Sequence, residues 1–122
     1  MRYLFAGGGT GGHLFPGLAL AKELERLDER AEILFVGTAE GLDTQIVPRA
    51  GYQLAVLPAG RGSPFDWRRP LNLPRFLQAL WRSGEIQRRF APHVVIALGG
   101  FAAAAPGLVA RLRGTPLVVL EQ

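Results

Sequence analysis

The residues best suited to chemistry in this chain are Gly7-Gly8-Gly9-Thr10-Gly11-Gly12-His13. Glycine admits positive φ and lets a ligand approach the main chain closely. A short apolar run, Tyr3-Leu4-Phe5-Ala6, comes before the glycines, and a helical pattern follows. Strand, glycine loop and helix together build an anion or sugar site from backbone N–H groups, with the positive end of the helix dipole facing the loop. His13 stands at the far end of the loop, where an imidazole can face whatever binds. A second turn, Gly99-Gly100-Phe101, also follows an apolar run, and Glu121 and Gln122 follow a third.

The first stretch satisfies G-x-G-x-x-G, which raises a dinucleotide reading. That reading expects an acid at the end of the second strand to hold ribose. Phe35-Val36-Gly37-Thr38 supplies none, and the first acid is Glu40, so NAD or FAD is disfavoured. No Gly-Lys-Ser/Thr follows the glycines, so the phosphate loop of nucleoside triphosphatases is excluded. A purely structural turn stays open, although five glycines in seven positions exceed what a turn needs. His13 can equally be a buried or helix-start residue. His93 precedes a strand and reads as structural or solvent-facing.

The elements that must position these residues alternate. Strands are expected at residues 2–6, 31–36, 52–57, 94–98 and 117–120. Helices are expected at 15–27, 40–50, 73–90 and 103–113, with Pro16 in a first-turn position and Asn72 as an N-cap. Phe76, Leu77, Leu80 and Trp81 form an apolar stripe on the third helix. Residues 59–70 are irregular and punctuated by Gly and Pro, a length that is often functional. Such alternation gives an α/β fold, a doubly wound, Rossmann-like parallel sheet with strand order 3-2-1-4-5. Its switch point lies between the first and fourth strands, flanked by both glycine turns.

The 122 residues suit one domain, and 48% of them are apolar, enough for a core. No window reaches the roughly 18 apolar residues of a membrane span. The first six residues are too short for a signal peptide. The absence of cysteine excludes disulfides and thiolate metal sites and fits a cytosolic protein. No metal cluster is expected. The net charge of +4 comes almost wholly from arginine, Lys22 being the only lysine, and it favours anionic partners. Arg61, Arg68, Arg69, Arg75 and Arg82 are interleaved with Phe65, Trp67, Phe76, Leu77 and Trp81. Some of these apolar groups must be core. The exposed subset reads as a membrane-surface patch, assigned to Trp67, Arg68, Arg69, Arg75, Phe76 and Trp81. No nucleic-acid motif accompanies the charge, so nucleic acid is not an expected partner.

Gly8-Gly9-Thr10-Gly11-Gly12-His13-x-x-Pro16-Gly17-Leu18-Ala19 resembles the opening of the bacterial peptidoglycan glycosyltransferases of family 28. Gly37-Thr38, Val47-Pro48, Gly99-Gly100-Phe101 and Pro116-x-Val118-Val119 before Glu121-Gln122 continue the match in order. Two features depart from the family pattern. Leu120 replaces a His, and four alanines follow Phe101, so that Pro106 comes one position late.

The resemblance implies a two-domain GT-B enzyme of which this chain is the N-terminal half. Residues 1–122 are then the acceptor-binding, membrane-associating domain, and the C-terminal donor-binding domain is absent from this chain. The implied reaction moves N-acetylglucosamine from UDP-N-acetylglucosamine to lipid I (an undecaprenyl-pyrophosphoryl-muramyl peptide) with inversion, making lipid II. It uses no cofactor and takes place at the cytoplasmic face of the bacterial inner membrane, and this half alone is inactive. Gly9, Thr10, Gly11, Gly12, His13, Gly99, Gly100 and Phe101 are the implied substrate-binding residues. His13 is the candidate base, with Glu121 as the alternative. Two other readings stay open: an acceptor or membrane-anchoring subunit of another glycosyltransferase, and a nucleotide-binding module without transfer chemistry.

Overall fold

The computed structural model describes residues 1–7, 11–38, 43–57, 73–99 and 101–120. Their order is β1 (Arg2–Ala6), α1 (Gly11–Leu27), β2 (Glu32–Thr38), α2 (Asp43–Arg49), β3 (Gln53–Leu57), α3 (Leu73–Phe90), β4 (Val94–Ala97), α4 (Ala104–Arg113) and β5 (Leu117–Val119). A single 3-10 turn, Phe101–Ala103, leads into α4. The strands form one parallel sheet in the order β3-β2-β1-β4-β5, as the alternation predicts.

Right-handed crossovers put α1 and α2 on one face and α3 and α4 on the other. The core divides accordingly. Phe5, Phe35, Ile96 and Leu98 pack with Leu14, Leu18 and Ala21 of α1 and Val47 of α2. Leu4, Ala6, Val36, Leu57 and Val95 pack with Ile86 of α3 and Ala110 of α4. Alternate residues of β1 therefore serve opposite faces, which explains its unbroken apolar run. Phe5 stacks on Phe35 at 4.9 Å and Phe35 on Tyr52 at 5.3 Å, a ladder worth about 0.5–1.5 kcal/mol per pair beyond area burial.

Several expectations need correction. α1 begins at Gly11, not at residue 15. Pro16 is therefore the sixth residue of the helix and leaves the Gly12 carbonyl without its usual donor. Low glycine propensity hid this start. β2 runs on through Gly37 to Thr38, because Gly37 and Thr38 pair with Val56 and Leu57 of β3. The stripe of α3 is displaced as well. Leu77 and Trp81 are 54% and 71% exposed, while Ala79, Ser83, Ile86 and Gln87 face inward. Small and polar residues hold that face because α3 packs closely on α4.

Gly17 sets how close α1 comes to the sheet. A Cβ there would lie 2.5 Å from Leu98 Cδ1 and 2.9 Å from Cδ2, and Leu98 is fully buried. Overpacking of this kind costs about 1–3 kcal/mol, and alanine's better helix propensity returns roughly 1 kcal/mol. Gly17→Ala should therefore lower the thermal midpoint by several degrees. Gly17→Ala combined with Leu98→Val should cost less than the sum of the two single changes. Strict additivity in that cycle would show that the contact does not set the spacing.

Candidate functional site

The carboxyl ends of β1, β4 and β5 are laced together one residue past the strands. Gly7 N–H donates to the Val36 carbonyl (3.1 Å), Leu98 N–H to Ala6 (2.8 Å) and Leu120 N–H to Ala97 (2.8 Å). The chain thus leaves all three strands at one level of the sheet. β1 and β4 are neighbours whose connections run in opposite directions, so a crevice opens between them.

Both glycine turns take backbone conformations that L side chains rarely adopt, with φ of +119° at Gly7 and +96° at Gly99. They also touch. A Cβ on Gly7 would sit 2.5 Å from the Gly99 carbonyl oxygen and 3.3 Å from Ala103 Cβ. Only glycine permits this approach. Two helices start beside the contact. The first-turn N–H groups of α1 and α4 have no acceptors within their own helices. Neither first turn carries an acid, and Ala103 caps α4 without a side-chain hydrogen bond. Two positive helix ends and two glycine turns at one switch point are suited to a group with several negative oxygens, such as a pyrophosphate. One helix end contributes only about 0.3–1 kcal/mol, so the convergence is what matters.

Residues 3–122 match the glycosyltransferase family 28 N-terminal domain. The chain belongs to this family. Family 28 relatives match along the whole chain. A protein of Desulforudis audaxviator is 42% identical over 128 residues and one of Thermoanaerobacter sp. (strain X514) 38% identical over 128. Both are named UDP-N-acetylglucosamine–N-acetylmuramyl-(pentapeptide) pyrophosphoryl-undecaprenol N-acetylglucosamine transferase. The alignments cover 100% of this chain but only 33% and 34% of those proteins, respectively, so the chain spans about a third of their length. The crystal structure of Acinetobacter baumannii MurG superposes with a TM-score of 0.82 at 23% identity, over 97% of this chain and 34% of that one. The fold is therefore that of a GT-B glycosyltransferase half.

Within this family 28 domain, the structure brings some of the expected residues together. Gly11, Gly12 and His13 form the first three positions of α1, so His13 belongs to the helix's first turn and not to a loop. Gly99 faces Gly7, and Phe101 opens the 3-10 turn. Gly9, Thr10, Gly100 and Glu121 lie outside the described residues, as do Trp67, Arg68, Arg69 and Asn72. Of the membrane set, Arg75 and Phe76 lie in the first turn of α3 and Trp81 in its third; Phe76 is half-buried, while Trp81 is exposed. Arg82 and Arg89 both pair with Glu85, at 3.5 and 2.9 Å, which reduces their free charge. Exposed Leu77, one turn before Trp81, joins the apolar surface.

Three features escaped the sequence reading. Gly7 was part of the glycine run but not of the binding set, although it makes the contact between the turns. Phe15 is 57% exposed two residues past His13. Gly17 is a glycine inside a helix, and that costly placement was the available signal.

The amino end of the sheet is a different surface. His93 accepts the Arg2 N–H on Nδ1 at 2.9 Å and donates its own N–H to the Arg2 carbonyl, a structural role. A cavity of about 730 Å³ opens at this end among Lys22, Glu25, Glu32, Ile33 and Tyr52. Burial, and then the hydrogen bond to Glu25, push the Tyr52 phenol above its ordinary range, so it stays neutral. This cavity lies at the opposite end of the strands from the glycine turns. Among the described residues, no three His, Cys, Asp or Glu side chains converge as metal ligands would, and no helix is long and apolar enough to cross a membrane.

Proposed function

We propose that this chain is the acceptor-binding half of an inverting transferase that adds N-acetylglucosamine to lipid I in peptidoglycan synthesis. The observation that carries this reading is the contact between Gly7 and Gly99, which places two glycine turns and two helix starts around one crevice. Residues 9–13 and 99–101 hold the pyrophosphate of the acceptor with backbone N–H groups. A hydroxyl of the muramyl sugar then attacks the anomeric carbon of UDP-N-acetylglucosamine. The new glycosidic C–O bond forms as the bond to UDP breaks, and UDP leaves with the electron pair. A base takes the hydroxyl proton, a role assigned to His13 with Glu121 as the alternative. The donor is held by the C-terminal domain of the intact protein. Edge strand β5, with Val118 and Val119 exposed, offers an apolar rim for a larger protein to cover.

The same reading puts the protein on the cytoplasmic face of the bacterial inner membrane, bound peripherally. Exposed Leu77 and Trp81 on α3 support an interfacial contact, with Trp67, Arg68, Arg69 and Arg75 meeting acidic headgroups.

Calorimetry on this chain tests the assignment. A soluble pyrophosphoryl-muramyl analogue of lipid I should bind, and UDP-N-acetylglucosamine should not. The reverse outcome would overturn the assignment and return the glycine turns to nucleotide recognition.

A further inference from the structure

The interface between α3 and α4 holds an amide that packing alone does not require. Gln87 is fully buried, with Ser83 buried one turn earlier on the same face. Its Nε2 donates to the Pro106 carbonyl at 2.9 Å and, more weakly, to Ser83 Oγ at 3.4 Å. Its Oε1 has no hydrogen-bond partner among the described residues. As a space-filler such a residue is poor, because leucine or methionine would occupy the volume without a desolvated carbonyl. What the amide supplies is direction: it grips one backbone atom 19 residues along the chain.

That atom lies in the first turn of α4, three residues after Ala103. Ala103 is the residue whose Cβ lies 3.3 Å from the Cβ position of Gly7. One helical turn therefore separates the Gln87 bond from the contact of the two glycine turns. The inner surface here is Ala102 and Ala103 of the 3-10 turn and Ala105, Pro106 and Gly107 of α4, all buried and all small or compact. Small side chains interlock weakly along a helix axis. A directional bond to a backbone carbonyl fixes the axial position that they leave loose.

We infer that Gln87 is a positioning residue: by holding Pro106 it sets the height of the first turn of α4, and with it the turn at residues 99–101 that receives the acceptor's pyrophosphate. The inference rests on the acceptor reading given above.

The test uses the intact protein with Gln87→Met, which keeps length and volume but loses the donor. Ile86→Val is the control, a buried neighbour on α3 with no hydrogen bond to α4. Gln87→Met should raise the acceptor KM roughly tenfold, the scale of a small misplacement, with the donor KM and the control's two KM values unchanged. An unchanged acceptor KM, a parallel rise in donor KM, or an equal rise in the control would overturn the inference. Should Gln87→Met fail to fold, isotope-labelled wild-type protein gives a second readout. The Gln87 side-chain amide resonances should shift on adding the acceptor analogue and stay still with UDP-N-acetylglucosamine; no shift with a bound analogue overturns the inference. Wild-type protein with no affinity for the analogue would instead bring down the acceptor reading, and this inference with it.

Discussion

His13→Ala in the intact protein is expected to lower kcat by about 10²–10⁴-fold, the usual contribution of a positioned general base. That loss corresponds to roughly 2.7–5.5 kcal/mol of barrier. The fold should survive, since alanine is a better helix former than histidine at the third position of α1. Two further readouts separate a base from a binding residue. A base must be unprotonated to act, so the wild-type rate should fall as pH drops through the imidazole's titration, and that limb should vanish in His13→Ala. Loss of binding alone would raise the acceptor KM and leave kcat in place. Glu121→Gln is the companion variant. If it abolishes turnover while His13→Ala keeps near-wild-type kcat, the base is Glu121 and His13 leaves the mechanism.

The sheet was legible because its determinants are local. Apolar runs marked all five strands, and their alternation with helical patterns pointed to a doubly wound parallel sheet, whose expected order 3-2-1-4-5 is the one observed. The position of the site followed, since a doubly wound sheet has one switch point and both glycine turns fell on it. What stayed hidden depends on distance in sequence. That Gly7 touches Gly99 follows from the register of β1 against β4, where Ala6 pairs with Ala97, and no spacing within either turn reveals it. The start of α1 was missed because two glycines argue against a helix locally, yet the helix runs on from Gly11. The inward face of α3 was missed for a related reason. Hydrophobicity pointed to Leu77 and Trp81, whereas close packing on α4 selected Ala79, Ser83 and Gln87. Large apolar groups left outside in this way are the ones on which the proposed membrane contact rests.

Gly7→Ala should be strongly destabilising. Two costs combine. The backbone sits at φ +119°, where a side chain is strained by about 1–3 kcal/mol. The new Cβ would also lie 2.5 Å from a backbone oxygen, which cannot rotate away as a side chain could. That oxygen belongs to Gly99, itself held at φ +96° and tied in through the Leu98 N–H bond to Ala6. Overpacking adds about 1–3 kcal/mol, so the sum is roughly 2–6 kcal/mol against a typical total of about 5–15 kcal/mol. Two other glycines separate the terms. Gly51 has φ +91° with nothing within 4 Å of its Cβ position, so Gly51→Ala carries the backbone cost alone. Gly84 lies within α3 with open space around it, so Gly84→Ala should stabilise by about 0.5–1 kcal/mol. Thermal or denaturant unfolding of the three variants should therefore rank Gly84→Ala above wild type, Gly51→Ala below it, and Gly7→Ala lowest, by about a further 1–3 kcal/mol. If Gly7→Ala unfolds no more easily than Gly51→Ala, the two turns are not held together by their contact. The crevice would then owe its shape to the helices alone, and acceptor affinity should survive the substitution.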